Sequence, residues 1–172
     1  RHDGIHRFFV GKNAKLKYVE KHYGDGDGKG ERVMNPRTEI TMDEGSYMEM
    51  ESVQIKGVDS TKRDTVAHLA AGAKLVVQER LMTHGHQDAE SRFDVCLDGE
   101  NSRSVARDQS HQAFYSNLQG NSLCAGHTEC DAIIMDEAKI SSLPEITANH
   151  PDAALIHEAA IGKIAGDQII KL

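Results

Sequence analysis

Gly72-Ala73-Lys74-Leu75-Val76-Val77-Gln78-Glu79, GAKLVVQE, is one of four related stretches in the chain. NAKLKYVE starts at Asn13, EGSYMEME at Glu44 and EAKISSLPE at Glu137. In each, a small residue and one intervening residue precede an apolar position, and a glutamate follows. The small residues fall at Ala14, Gly45, Ala73 and Ala138, at intervals of 31, 28 and 65, the last being about two repeats. A period of that size is the signature of stacked coils, in which each turn buries one face on the next. Recurrent Gly-Ala turns in a β-sandwich would leave a similar trace, and the stacked-coil reading is preferred.

The surrounding chain agrees. Tryptophan is absent, aromatics make up 5 % of the 172 residues, and fifteen glycines separate short alternating segments. That pattern favours many short strands over long amphipathic helices. Half-buried strands are predicted at Thr38–Met42, Met48–Met50, Val53–Ile55 and Phe93–Leu97. The fold class is therefore all-β, with a parallel β-helix core predicted over residues 1–150. Pro151 and Asp152 are predicted to close a turn, after which 151–172 starts a C-terminal helical region opening at AGDQIIKL. The chain begins at Arg1 and stops inside that helix, so it reads as a piece of a longer protein.

Charge and cysteine usage narrow the function. Twenty Lys and Arg against twenty-seven Asp and Glu leave a net charge of −7, which argues against a surface that tracks nucleic-acid phosphates. Cys96, Cys124 and Cys130 are odd in number and form no CxxC pair, as suits a reducing compartment, and a cytoplasmic location is expected. No apolar run is long enough to cross a bilayer as a helix. GDGDGKGE, Gly24–Glu31, begins like a calcium loop, but the twelfth position would be Pro36 in place of a bidentate Glu, so a polar loop is expected. Ser60-Thr61-Lys62-Arg63 and Ser102-Arg103-Ser104 with Arg107 lack a glycine-rich phosphate cradle and read as turns and exposed faces. No GxSxG elbow is present.

Two sets of residues have ligand chemistry. His84, His86 and Glu90 have the H-x-H-x3-E spacing with which cupins present mononuclear metal ligands from one strand. No second motif with a further His after a Pro-Gly turn follows, so a solvated His-rich turn is favoured over a cupin-type metalloenzyme. GHTECDAIIMD, Gly126–Asp136, sets Cys130 on the same strand face as Ala132 and Ile134, where a free cysteine is commonly inert core. The later His157-Glu158 pair, in an apolar setting, supplies an imidazole and a carboxylate. Thiolate, imidazole and carboxylate together would suit iron or an iron–sulfur cluster, if the fold brings them together.

GHTECDAIIMDEAKISSLPEI and IHEAAIGKIAGDQIIKL resemble the C-terminal half of the SufB/SufD family, the scaffold subunits of the SUF iron–sulfur cluster assembly system. The resemblance rests on His127, Cys130 and Asp131, on Pro144, on His157, Glu158 and Ala159, and on Asp167 with Gln168. VGKNAKLKYVEKHYGDGDG, GVDSTKRDTVAHLAAGAKL and SVARDQS agree with the family more loosely. The resemblance implies a β-helix core followed by helices, and a non-enzymatic scaffold that builds a transient iron–sulfur cluster and passes it to apoproteins. It implies as partners a sulfur donor, a SufC-type ATPase and a second scaffold subunit, either SufD-like or identical. It also implies that Cys130, His157 and Glu158 are metal and cluster ligands, Cys130 as thiolate, His157 as imidazole and Glu158 as a carboxylate ligand or proton acceptor, the His-Glu pair being closer to SufB. Neither Cys96 nor Cys124 matches the upstream cysteine with which SufB members accept sulfur. The family continues through further helical turns past Leu172, where its ATPase docks.

Overall fold

The computed structural model describes residues 1–24, 30–82, 87–109, 113–135 and 139–164. Thirteen strands and no helix make up these residues. In order they are β1 (Ile5–Val10), β2 (Lys15–Tyr23), β3 (Val33–Met34), β4 (Arg37–Met42), β5 (Tyr47–Lys56), β6 (Ser60–Leu69) and β7 (Lys74–Leu81). The chain continues through β8 (Asp88–Leu97), β9 (Arg103–Gln109), β10 (Ala113–Gly120), β11 (Cys124–Met135), β12 (Ser141–Ala148) and β13 (Ala153–Ile164). They alternate between two wholly parallel sheets. One has the order β1-β4-β6-β8-β10-β12, with β3 beside β6, and the other β2-β5-β7-β9-β11-β13. Each turn of chain thus adds one strand to each sheet, which is a parallel β-solenoid of about five turns.

Register shows how the repeat is built. In the first sheet Ile5, Arg37, Asp64, Arg92, Tyr115 and Leu143 lie side by side, 32, 27, 28, 23 and 28 positions apart. In the second, backbone N–H groups of Tyr47, Lys74, Arg103 and Ala125 donate to the carbonyls of Ala14, Ser46, Ala73 and Ser102. The column of small residues at the corner is therefore Ala14, Ser46, Ala73, Ser102, Cys124 and Ala153, the last two being paired directly. Ala14 and Ala73 are the repeat members expected from sequence, whereas Gly45 sits one place early. It belongs to a second column, Asn13, Gly45, Gly72 and Asn101, in which every residue has φ between 58° and 68°. Glycine and asparagine tolerate that left-handed backbone, and it is what turns the chain from one sheet to the next. The proposed copy at Glu137 does not continue the row. Ala138 lies outside the described residues, and the strand that follows it, β12, belongs to the other sheet.

Alternation then sorts the side chains. Along β6 the burial pattern iBeBiBiBeB puts every second residue inside, as a parallel strand packed on one face requires. Ile40, Met42, Met48, Leu69, Leu75, Phe93, Leu97 and Phe114 fill the apolar side of the interior, each essentially solvent-free. Burying a side chain of this size stabilises the fold by about 1.5–3 kcal/mol. Outside, charged neighbours on adjacent turns pair, as Arg7 with Glu39 at 2.8 Å and Arg37 with Asp64 at 2.7 Å. Such exposed pairs contribute roughly 0–1 kcal/mol each.

Three sequence expectations change. Met48–Met50 and Val53–Ile55 are parts of one strand, β5. Arg63, Ser102 and Ser104 are buried, not exposed, because each occupies an inward position of its turn. Residues 151–152 do form a turn, but the chain next runs as β13, so no helical region starts between 153 and 164. The segment expected to be helical, 165–172 with Asp167 and Gln168, lies outside the described residues, as does most of the Gly24–Glu31 loop. Among the described residues no helix is long and apolar enough to cross a membrane.

The inward Arg63 joins the two sheets. Its guanidinium lies 3.2 Å from Glu20 Oε1 and 3.3 Å from Glu79 Oε1, with all three side chains less than a tenth exposed. Ser52 donates to Glu20 at 2.8 Å, Tyr18 donates to it at 3.0 Å, and Ser91 donates to Glu79. Burial alone would raise the Glu20 carboxyl, but Arg63 and Ser52 outweigh it and hold Glu20 below its ordinary value. Glu79 is raised by burial. Arg63 also donates to His22 Nδ1 at 2.9 Å, which requires a neutral ring.

His22 therefore gives the protein a pH dependence. Burial lowers its pKa first, with Arg63, His2 and His6 adding to the effect and Glu20 opposing it. Because the folded value lies below the ordinary one of about 6.5, the unfolded chain takes up the proton more readily. The contribution is fully present above pH 6.5 and is lost as pH falls through the folded value. Urea unfolding at pH 7.5 and 5.5 should show lower stability at the acid value, and His22→Gln should flatten the dependence. An equally steep dependence in the variant would contradict this assignment.

Candidate functional site

The last two turns carry the residues with ligand chemistry. β11 lies between β9 and β13, with Cys130 beside Asp108 on one side and Ala159 on the other. Within the second sheet this inward column reads Glu20, Ser52, Glu79, Asp108, Cys130, Ala159. Cys130 is completely buried. Burial, and then the Asp108 carboxylate, push its thiol up to about 11, against a smaller opposing effect from the Ser142 hydroxyl. At neutral pH it is a protonated thiol, the unreactive form.

His157 lies on the same inner face. It is paired with Thr128 across the ladder and is two positions from Ala159, the direct neighbour of Cys130. Strands about 4.8 Å apart and a rise of about 3.3 Å per residue put the Cys130 and His157 backbones roughly 8 Å apart on a diagonal. The thiol and the imidazole thus leave one face of the sheet from diagonal positions. Burial, followed by His127, lowers the His157 pKa, so its ring is held in the neutral form that binds metal. Nδ1 lies 2.8 Å from Thr128 Oγ1.

Glu158 goes the other way. One residue on from His157 in a strand, it faces outward, is mostly exposed, and lies 3.4 Å from His127 Nε2. The neighbouring Glu129 pairs with Arg107 at 2.8 Å on the same outer face. The trio expected from sequence is thus divided by the sheet itself: Cys130 and His157 inside, Glu158 outside. Among the described residues no three His, Cys, Asp or Glu side chains are arranged to hold a metal ion by themselves. Any cluster at Cys130 and His157 would take its remaining ligands from elsewhere.

The other candidates are separate. His84 and His86 lie outside the described residues, while Glu90 is on the outer face of β8, 3.4 Å from Lys62. Cys124 is buried at the corner column, and Cys96 is half-buried on the outside, its thiol 3.9 Å from Gln119 Oε1. Burial raises both thiols above their ordinary value. Thr128 and Ser116 were not anticipated as part of the site. The available signal was a hydroxyl two residues before Cys130, on the cysteine's own strand face.

The chain as a whole is similar to known proteins. A family model described as the SufBD core domain of the SUF system for FeS cluster assembly matches residues 1–170. An iron-sulfur cluster assembly SufBD family protein of Archaeoglobus fulgidus is 30% identical over 99% of this chain and 47% of its own length. One of Methanocaldococcus jannaschii is 28% identical over 93% of this chain and 52% of its own. A chloroplastic member from Arabidopsis thaliana is 24% identical over 98% of this chain and 33% of its own. The chain spans about half the length of the two archaeal relatives. A match running through nearly every residue of the solenoid, from its first strand to its last, shows that the chain belongs to the SufBD core family of the SUF iron–sulfur cluster assembly system.

Proposed function

We propose that this chain is the core of a scaffold subunit that holds a nascent iron–sulfur cluster between Cys130 and His157 and releases it to apoproteins. One observation supports this above the others: the two side chains share the inner face of adjacent strands at the end of the described solenoid. Cys130 supplies the soft thiolate once iron displaces its proton, and His157 supplies a neutral nitrogen. Mixed ligation of that kind holds a cluster less tightly than four thiolates would, as suits cargo that must leave. In this reading Glu158 acts from the outer face, with His127, and not as a direct ligand. The scaffold is non-enzymatic and cytoplasmic. It works beside a SufC-type ATPase, a sulfur donor and a second scaffold subunit, SufD-like or identical, which completes the ligand set. The His157-Glu158 pair favours the SufB-like role. The test is anaerobic reconstitution of the full-length protein with iron and sulfide. A cluster absorption band that depends on Cys130 is the expected result.

A further inference from the structure

The inner column that contains His157 is apolar or aromatic for most of the solenoid: Tyr18, Met50, Val77 and Ala106 precede Thr128 and His157. Apart from the Tyr18 phenol at the first turn, which donates to Glu20, a hydroxyl enters this column only at Thr128, directly opposite the histidine. Thr128 is 1 % exposed, and its Oγ1 is 2.8 Å from His157 Nδ1. Across the interior, Ser116 of β10 is also buried, with its Oγ 3.4 Å from the same Thr128 oxygen. A β-branched side chain on a strand is stiff at χ1, so the Thr128 hydroxyl is a fixed point against which the ring is aimed.

We infer that Thr128, backed by Ser116, is the positioning residue of His157: its oxygen accepts a hydrogen bond from Nδ1–H and leaves Nε2 as the nitrogen that meets the cluster. This rests on the reading of His157 as a ligand. An imidazole bound to a metal through one nitrogen carries its proton on the other and needs an acceptor for it. Thr128 is that acceptor, and its own hydroxyl proton is directed to Ser116. Valine would fill the same inward position in a parallel strand equally well, as Val77 does two turns earlier. Packing alone therefore gives no reason for a hydroxyl here.

The experiment is ring-nitrogen NMR of the full-length, cluster-free protein labelled with 15N-histidine, with His157 assigned from its loss in His157→Gln. Unmodified protein should show a His157 ring with Nδ1 protonated and Nε2 bare. Thr128→Val should shift it to the tautomer mixture of a free imidazole, and Thr128→Ser should restore it. After reconstitution, Thr128→Val should lose its cluster to a chelator about tenfold to a hundredfold faster, as expected for removal of an outer partner of a ligand. Identical ring-nitrogen shifts in unmodified protein and Thr128→Val would overturn the inference. If Thr128→Val fails to fold, a tautomer mixture in the unmodified protein overturns it equally. Failure of the ligand reading looks different: His157→Gln would then retain its cluster as well as unmodified protein does.

Discussion

Replacing Arg63 with alanine should lower the unfolding free energy by about 3–5 kcal/mol, measured by urea denaturation at pH 7.5. Arg63 is the cation between two buried carboxylates, and Glu20, held ionised by it, would remain inside without the guanidinium that faces it. The large cost comes from the uncompensated charge, not from the loss of a favourable pair. The double variant Glu20→Gln with Arg63→Met removes the charge and its partner together, and should therefore recover most of the loss. Equal destabilisation in the double variant would mean that packing of the arginine stem, and not charge, sets the cost. Since the Arg63, Glu20 and Glu79 group lies among the early turns and Cys130 near the last described ones, the deficit should appear as global instability, not as a selective loss of iron–sulfur cluster binding.

Cys130→Ser should abolish the cluster absorption of anaerobically reconstituted full-length protein while leaving its fold intact. Serine is nearly isosteric, and its hydroxyl can reach the same neighbours, but it does not offer iron a thiolate. Cys96→Ser, on the outer face, and Cys124→Ser, at the corner six residues away on β11, should keep the band. Unchanged absorption in Cys130→Ser would sink the ligand assignment. The high thiol pKa has a related consequence: in the unloaded protein, an alkylating reagent should modify the half-buried Cys96 before it reaches Cys130.

The fold was legible in the chain because a solenoid repeats its corners. Small residues at Ala14 and Ala73 and a left-handed glycine at Gly45 mark the same corner, although the two columns they belong to differ by one residue. The later turns were harder to read. Their corners are Ser102 and Cys124, which share no composition with alanine, and the step between neighbouring turns falls to 22 and 23 residues before returning to 28 and 29. Burial of Arg63 was invisible for a physical reason: its carboxylate partners, Glu20 and Glu79, are brought to it only by the pairing of successive turns. At the site, alternation along β11 correctly gave the inward direction of Cys130. The same rule applied to β13 separates His157 from Glu158, but it could be used only once Ala153–Ile164 was known to be a strand.

The central claim is that Cys130 and His157, from the inner face, hold the cluster while Glu158, from the outer face, does not. Pulsed EPR of the reduced, reconstituted full-length protein labelled with 15N-histidine tests it most directly. The account predicts a nitrogen hyperfine coupling at the cluster that vanishes in His157→Gln and persists in Glu158→Gln. A coupling that survives in His157→Gln would contradict it.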